Sequence, residues 1–129
     1  MPAQLSVNIN KYALLRNSRG HNAPDLCWAI DTCLAAGAHG ITIHPRRDER
    51  HIRFSDVPVV AAHLRTHHPG VELNIECEDH PTILELVLSI RPAQCTEACP
   101  PGVADQAAAL QAAASHLVAQ LEAFAALHC

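Results

Sequence analysis

Aromatic side chains are scarce: Phe, Trp and Tyr make up 3% of the 129 residues. That is too few for the stacking platforms that hold single-stranded nucleic acid. Positive charge is not in excess either. The formal net charge is -4 with the histidines neutral, so nothing global favours nucleic acid or an anionic membrane surface. No run approaches the roughly 20 apolar residues of a membrane span. The opening MPAQLSVNINK lacks a basic segment followed by an apolar one, so no signal peptide is expected. Without export, the six cysteines read as reduced thiols in a cytoplasmic protein. Cys27, Cys33 and Cys77 sit in apolar runs, where a thiol behaves as a small hydrophobe. Glycine-rich dinucleotide or P-loop patterns are absent, so nucleotide binding by those routes is unsupported. Metal ligation is not expected. CTEAC has no second pair or histidine at ligand spacing, and His67 and His68, adjacent at a helix end, do not easily both face one ion.

What is present is a core. The chain is 49% hydrophobic and has one domain's length, taken as residues 1–129. LSVNI (5–9), ITIH (41–44) and VELNIE (71–76) alternate as strands, with AQCT (93–96) a weaker fourth. Between the first two strands comes a polar, basic stretch, NKYALLRNSRGHNAPD, punctuated by Gly20 and Pro24. A helix then carries Leu26, Ile30, Cys33 and Leu34 on one face and ends at Gly37 or Gly40. A second helix spans 55–68, capped by Ser55 or Asp56, with Val57, Val60, Ala61 and Leu64 inward. HPTILELVLSIRP supplies a third, with Ile83, Leu84, Val87, Leu88 and Ile90 inward. From about residue 103 an alanine-rich segment steps by three and four through Leu110, Leu117, Leu121 and Phe124, the strongest helical pattern in the chain.

The order βαβαβαβα predicts an α/β fold with a parallel sheet. In such folds ligands bind at the C-terminal ends of the strands. There the sequence places Asn8, Asn10, Lys11, Arg16 and Arg19 after the first strand. His44, Arg46, Arg47, Arg50, His51 and Arg53 follow the second, and Glu76 ends the third. Guanidinium forks match phosphate oxygens, so a small phosphorylated substrate fits. A histidine and a glutamate at strand ends suit proton transfer near neutral pH. Each feature also has a structural reading. The arginines alternate with Asp48 and Glu49 and could be a solvated loop of surface ion pairs. A lone histidine after a strand is often structural, and Asn8 could simply satisfy backbone groups.

The blocks LSVNINKYALLRNSRGHNAPD, AGAHGITIHPRRDERHIR and ELNIE, in this order, resemble the pyridoxine 5'-phosphate synthase family over roughly residues 4–94. The resemblance implies parallel βα repeats amounting to about half of a (β/α)8 TIM barrel. It implies condensation of 1-deoxy-D-xylulose 5-phosphate with 3-amino-2-oxopropyl phosphate to pyridoxine 5'-phosphate, with no metal or organic cofactor. The family assembles as an octamer built from dimers, so a homo-oligomer is implied. By position, Asn8 and Arg19 would hold the aminoketone phosphate. Asn10, Lys11, Arg46 and His51 would contact the deoxyxylulose phosphate, and His44 and Glu76 would be catalytic proton-transfer residues.

The resemblance stops after RPAQCT. The family continues there with a strand and a threonine-rich loop, whereas this chain reads EACPPGVADQAAALQAAA over the divergent 97–129 segment. The chain is therefore expected to be a truncated version, inactive alone or obliged to associate to cover two strand edges and an apolar sheet face. The alternative function is a non-catalytic phosphate-ligand binding module. A third reading is an interaction protein whose charged loop is solvated surface.

Overall fold

The computed structural model describes residues 2–97 and the single position 119. But for that position, the alanine-rich helix expected from residue 103 lies outside the described residues. In chain order the described elements are β1 (Ser6–Asn8), α1 (Asn10–Arg19), α2 (Leu26–Ala35), β2 (Gly40–Ile43), α3 (Asp56–His67), β3 (Glu72–Cys77), α4 (Pro81–Ile90) and β4 (Gln94–Glu97). The four strands form one parallel sheet in the order β1-β2-β3-β4. Among the described residues, no helix is long and apolar enough to cross a membrane.

Period-two alternation sorts each strand's side chains between two faces. Ile41 and Ile43 of β2 and Leu73, Ile75 and Cys77 of β3 point into one core with the apolar stripes of the helices. That core holds Ile30 of α2, Val57, Val60, Ala61 and Leu64 of α3, and Ile83, Leu84, Val87 and Ile90 of α4. The inward positions expected from periodicity are all buried except Leu88, which is intermediate, and Cys33 and Leu34, which are partly buried against the core. Each fully buried Ile or Val stabilises the fold by about 1.5–3 kcal/mol relative to exposure.

Two sequence readings are corrected. The order βαβαβαβα counted no helix in the polar stretch after β1, where residues 10–19 form α1. Asn8 starts it, its Oδ1 accepting the Asn10 N–H at 2.8 Å. Gly20 ends it at φ 73°, a left-handed conformation that glycine adopts without a Cβ penalty. The stripe that α1 turns inward is Ile9, Ala13 and Arg16, an i, i+4, i+7 set with a cation as its third member. Arg16 is 6% exposed and is neutralised there by Asp56 of α3.

The second correction concerns the sheet face opposite the core, which is polar rather than apolar. Thr42 and Asn74 stand opposite each other, and Ser6 and Thr96 reach them diagonally from the outer strands, each two residues out of register. Ser6 Oγ and Thr42 Oγ1 lie 2.7 Å apart, Asn74 Nδ2 donates to Thr42 Oγ1 at 3.4 Å, and Thr96 Oγ1 donates to Asn74 Oδ1 at 2.9 Å. A hydrogen-bonded polar ladder needs no hydrophobic cover, so the argument that this face demands one falls away.

Candidate active site

The register that pairs Ile43 with Ile75 makes His44 and Glu76 the next neighbours along the strands. Alternation sends both side chains to the polar face, one residue beyond the inward pair. His44 Nδ1 stands 3.6 Å from Glu76 Oε2, with the side chains 16% and 33% exposed. At this distance the two groups face each other without a hydrogen bond. A small shift closes it. Two strand ends distant in sequence thus deliver an acid–base pair to one spot.

Burial holds the His44 imidazole below the usual histidine pKa, with Arg46 acting in the same direction against the opposing pull of Glu76 and Glu78. The ring is therefore neutral at pH 7 and able to accept a proton. His51 is lowered likewise, first by burial and then by the nearby His44 and Arg46. Its ring lies 6.2 Å from that of His44, centroid to centroid. Its Nδ1 accepts the Ile52 N–H at 2.9 Å, which leaves the ring proton on Nε2.

The amides at the end of β1 frame the same rim. Asn10 Oδ1 accepts the His44 N–H at 3.0 Å, tying the start of α1 to the end of β2. Asn8 is committed to the first turn of α1 through its Oδ1. Both oxygens therefore do structural work, whatever their amide groups contact. Lys11 is exposed beside them.

The arginines divide sharply. Arg16, one of the cations gathered at the rim by the sequence reading, is buried and its guanidinium is filled. Nη1 and Nη2 fork onto Asp56 at 2.8 and 2.7 Å, Nε and Nη2 reach Asn17 Oδ1, and Nη2 also approaches the His51 carbonyl. It is a structural cation, not an anion receptor. Arg47 pairs with Glu78 and Arg50 with Asp48 in exposed ion pairs, as the solvated-loop reading expects. Arg46 is half-buried beside His44, and its guanidinium makes no hydrogen bond or ion pair among the described residues. That leaves it available to an anion beside His44. Arg19 is exposed in the last turn of α1. It lies two residues past Asn17, whose Nδ2 binds the Arg50 and His51 carbonyls. The helix therefore runs alongside the 44–53 loop, with Asn10 at His44 and Asn17 at His51.

Sequence reasoning missed Glu78. Its Oε1 accepts the Arg47 N–H at 3.2 Å, so it bridges the loops after β2 and β3. Its spacing of two from Glu76 was the available signal. The Arg16–Asp56 network was also missed, because its partners stand 40 residues apart.

The family model described as pyridoxal phosphate biosynthesis protein PdxJ matches residues 5–102. A pyridoxine 5'-phosphate synthase from Xanthomonas axonopodis pv. citri (strain 306) is 52% identical over 103 residues, covering 74% of this chain and 40% of that protein. One from Xanthomonas campestris pv. campestris (strain B100) is 50% identical with the same coverage. One from Xylella fastidiosa (strain M23) is 60% identical over 73 residues, covering 57% of this chain and 27% of that protein. The chain spans about 40% of the length of the first two relatives.

Proposed function

Since the chain belongs to the PdxJ family of pyridoxal phosphate biosynthesis proteins, we propose that it carries one half of a pyridoxine 5'-phosphate synthase active site on half of a (β/α)8 barrel. Four parallel strands in sequential order, with helices packed on one face, support the half-barrel reading. The reaction is the condensation of 1-deoxy-D-xylulose 5-phosphate with 3-amino-2-oxopropyl phosphate, giving pyridoxine 5'-phosphate and releasing inorganic phosphate and water. Imine formation, loss of water and ring closure require protons to be moved repeatedly between neighbouring carbons and oxygens. A neutral His44 accepts a proton, and Glu76 beside it stabilises the imidazolium that forms and exchanges protons in turn. Arg46 and His51 face the deoxyxylulose phosphate, with Asn10 and Lys11 framing it. Asn8 and Arg19 take the aminoketone phosphate.

The observation that carries this reading is the meeting of His44 and Glu76 at 3.6 Å beside the unpaired Arg46. The test is mass-spectrometric detection of pyridoxine 5'-phosphate from the two substrates. Product is expected to depend on both residues. Turnover that survives Glu76→Gln and His44→Asn together would overturn the assignment. A second reading, a phosphate-binding module without turnover, is favoured by the Arg46 guanidinium, which makes no ion pair among the described residues. It predicts calorimetric binding of a sugar phosphate, lost in Arg46→Ala, with no product.

A further inference from the structure

On the outer side of the helical layer, three side chains from two helices converge on one point. Asp31 lies on α2, His63 on α3, and His68 immediately past the end of α3. Asp31 Oδ1 stands 2.7 Å from His63 Nε2 and 2.7 Å from His68 Nε2. The three ligand-capable atoms all lie within 4.8 Å of one another.

Helix geometry alone does not produce this arrangement. Residues five apart on a continuing helix are about 140° apart around its axis. His68 instead leaves the helix at φ -136°, ψ 57°, and this turn swings its ring back beside His63. The ring centroids are 5.6 Å apart. A third imidazole, His67, lies 4.8 Å from His63 by the same measure.

We propose that Asp31, His63 and His68 form a site for a divalent transition metal of the zinc class, which clasps α2 to the C-terminal end of α3. Two imidazole nitrogens and one carboxylate oxygen are a donor set that zinc accepts, with a fourth position left to water. With bonds of about 2.0 Å in tetrahedral geometry, ligand atoms stand about 3.3 Å apart. The two 2.7 Å contacts therefore open by about 0.6 Å to admit the ion. Each ring then carries its proton on Nδ1 instead of sharing one from Nε2 with the carboxylate. An aspartate is ionised at neutral pH, the form a metal requires.

The site is distinct from the candidate active site. Asp56, which braces the loop of His51, begins α3, whereas His63 and His68 lie seven and twelve residues further on. At 1.5 Å per residue that is roughly 10–18 Å along the helix. The ion would stabilise the helical layer without touching substrate.

The test is titration of the full metal-free chain with Co²⁺ and with Zn²⁺, followed by visible absorption and calorimetry. The expected result is one ion per chain, weak d–d bands typical of nitrogen and oxygen ligands, and a higher unfolding temperature with Zn²⁺. Asp31→Asn and His68→Gln, both at partly exposed positions, are expected to weaken binding at least tenfold. The proposal is overturned if no ion binds at millimolar concentration or if these variants bind as the parent does. A cobalt–thiolate charge-transfer band, placing the ion on the cysteines, would overturn it equally.

Discussion

Replacing Asp56 with alanine tests the least expected part of this fold. The carboxylate receives both arms of the Arg16 fork at 2.8 and 2.7 Å, and its Oδ2 also accepts the Arg53 N–H at 2.8 Å. The pair is mostly out of water, with side chains 7% and 15% exposed. An exposed ion pair of this kind contributes about 0–1 kcal/mol. Here removal of one partner strands a guanidinium inside the core. Asn17 Oδ1 and the His51 carbonyl remain to it, so part of the desolvation cost stays compensated. Breaking a buried pair costs about 3–5 kcal/mol. The expected loss for Asp56→Ala is thus about 3–5 kcal/mol, a large share of the roughly 5–15 kcal/mol of a typical domain. Asp56→Asn keeps one oxygen for Arg53 and removes the charge, and an intermediate loss of about 2 kcal/mol is expected. Urea unfolding followed by circular dichroism measures both. A change below about 1 kcal/mol in Asp56→Ala, the value of a surface pair, would refute the buried-cation argument.

Three further outcomes follow from the site and the sheet. His44 is expected to titrate below 6.5 by NMR; Glu76→Gln should lower its midpoint further and Arg46→Ala should raise it, and opposite shifts would show that the three groups do not face one another. Because the folded-state pKa values of His44 and His51 lie below the unfolded value of 6.5, the unfolded chain binds more protons just below that pH. Their contribution to stability is accordingly full above pH 6.5 and lost as pH falls through the folded values; a His44→Asn, His51→Asn variant should show a shallower acid-side slope in its unfolding free energy, and an unchanged slope would contradict the sign. Gly40→Ala should destabilise by about 1–3 kcal/mol, because the new Cβ would meet the Glu72 carbonyl oxygen at 3.1 Å and backbone cannot swing aside; a melting temperature equal to the parent's would mean that β2 and β3 separate freely there.

Much of this fold was legible wherever one face of an element is apolar. The stripes of α2, α3 and α4 and the alternation of β2 and β3 locate the core directly, since burial of those residues is the main driving force. The His44 and Glu76 rim was legible too, because parallel strands must gather their C-terminal ends on one side. What escaped notice is where a polar residue occupies an inward place. The stripe of α1 is unreadable because its third member is Arg16, and a buried cation makes sense only once Asp56, 40 residues away, is seen to face it. The serine, threonine and asparagine ladder is equally silent, because its hydrogen bonds exist only in the observed register.

Local pattern in the chain therefore determined the parallel α/β order, the apolar core and the presence of acid–base and cationic groups at one rim. Tertiary structure alone decided which of those charges are available. It spends Arg16 on Asp56, Arg47 on Glu78 and Arg50 on Asp48, leaves Arg46 beside His44, and draws Asp31, His63 and His68 together. The physical reason is range. Hydrophobic periodicity is written in neighbours three or four residues apart, whereas the partner of a charge is whichever group the packed elements bring within 4 Å.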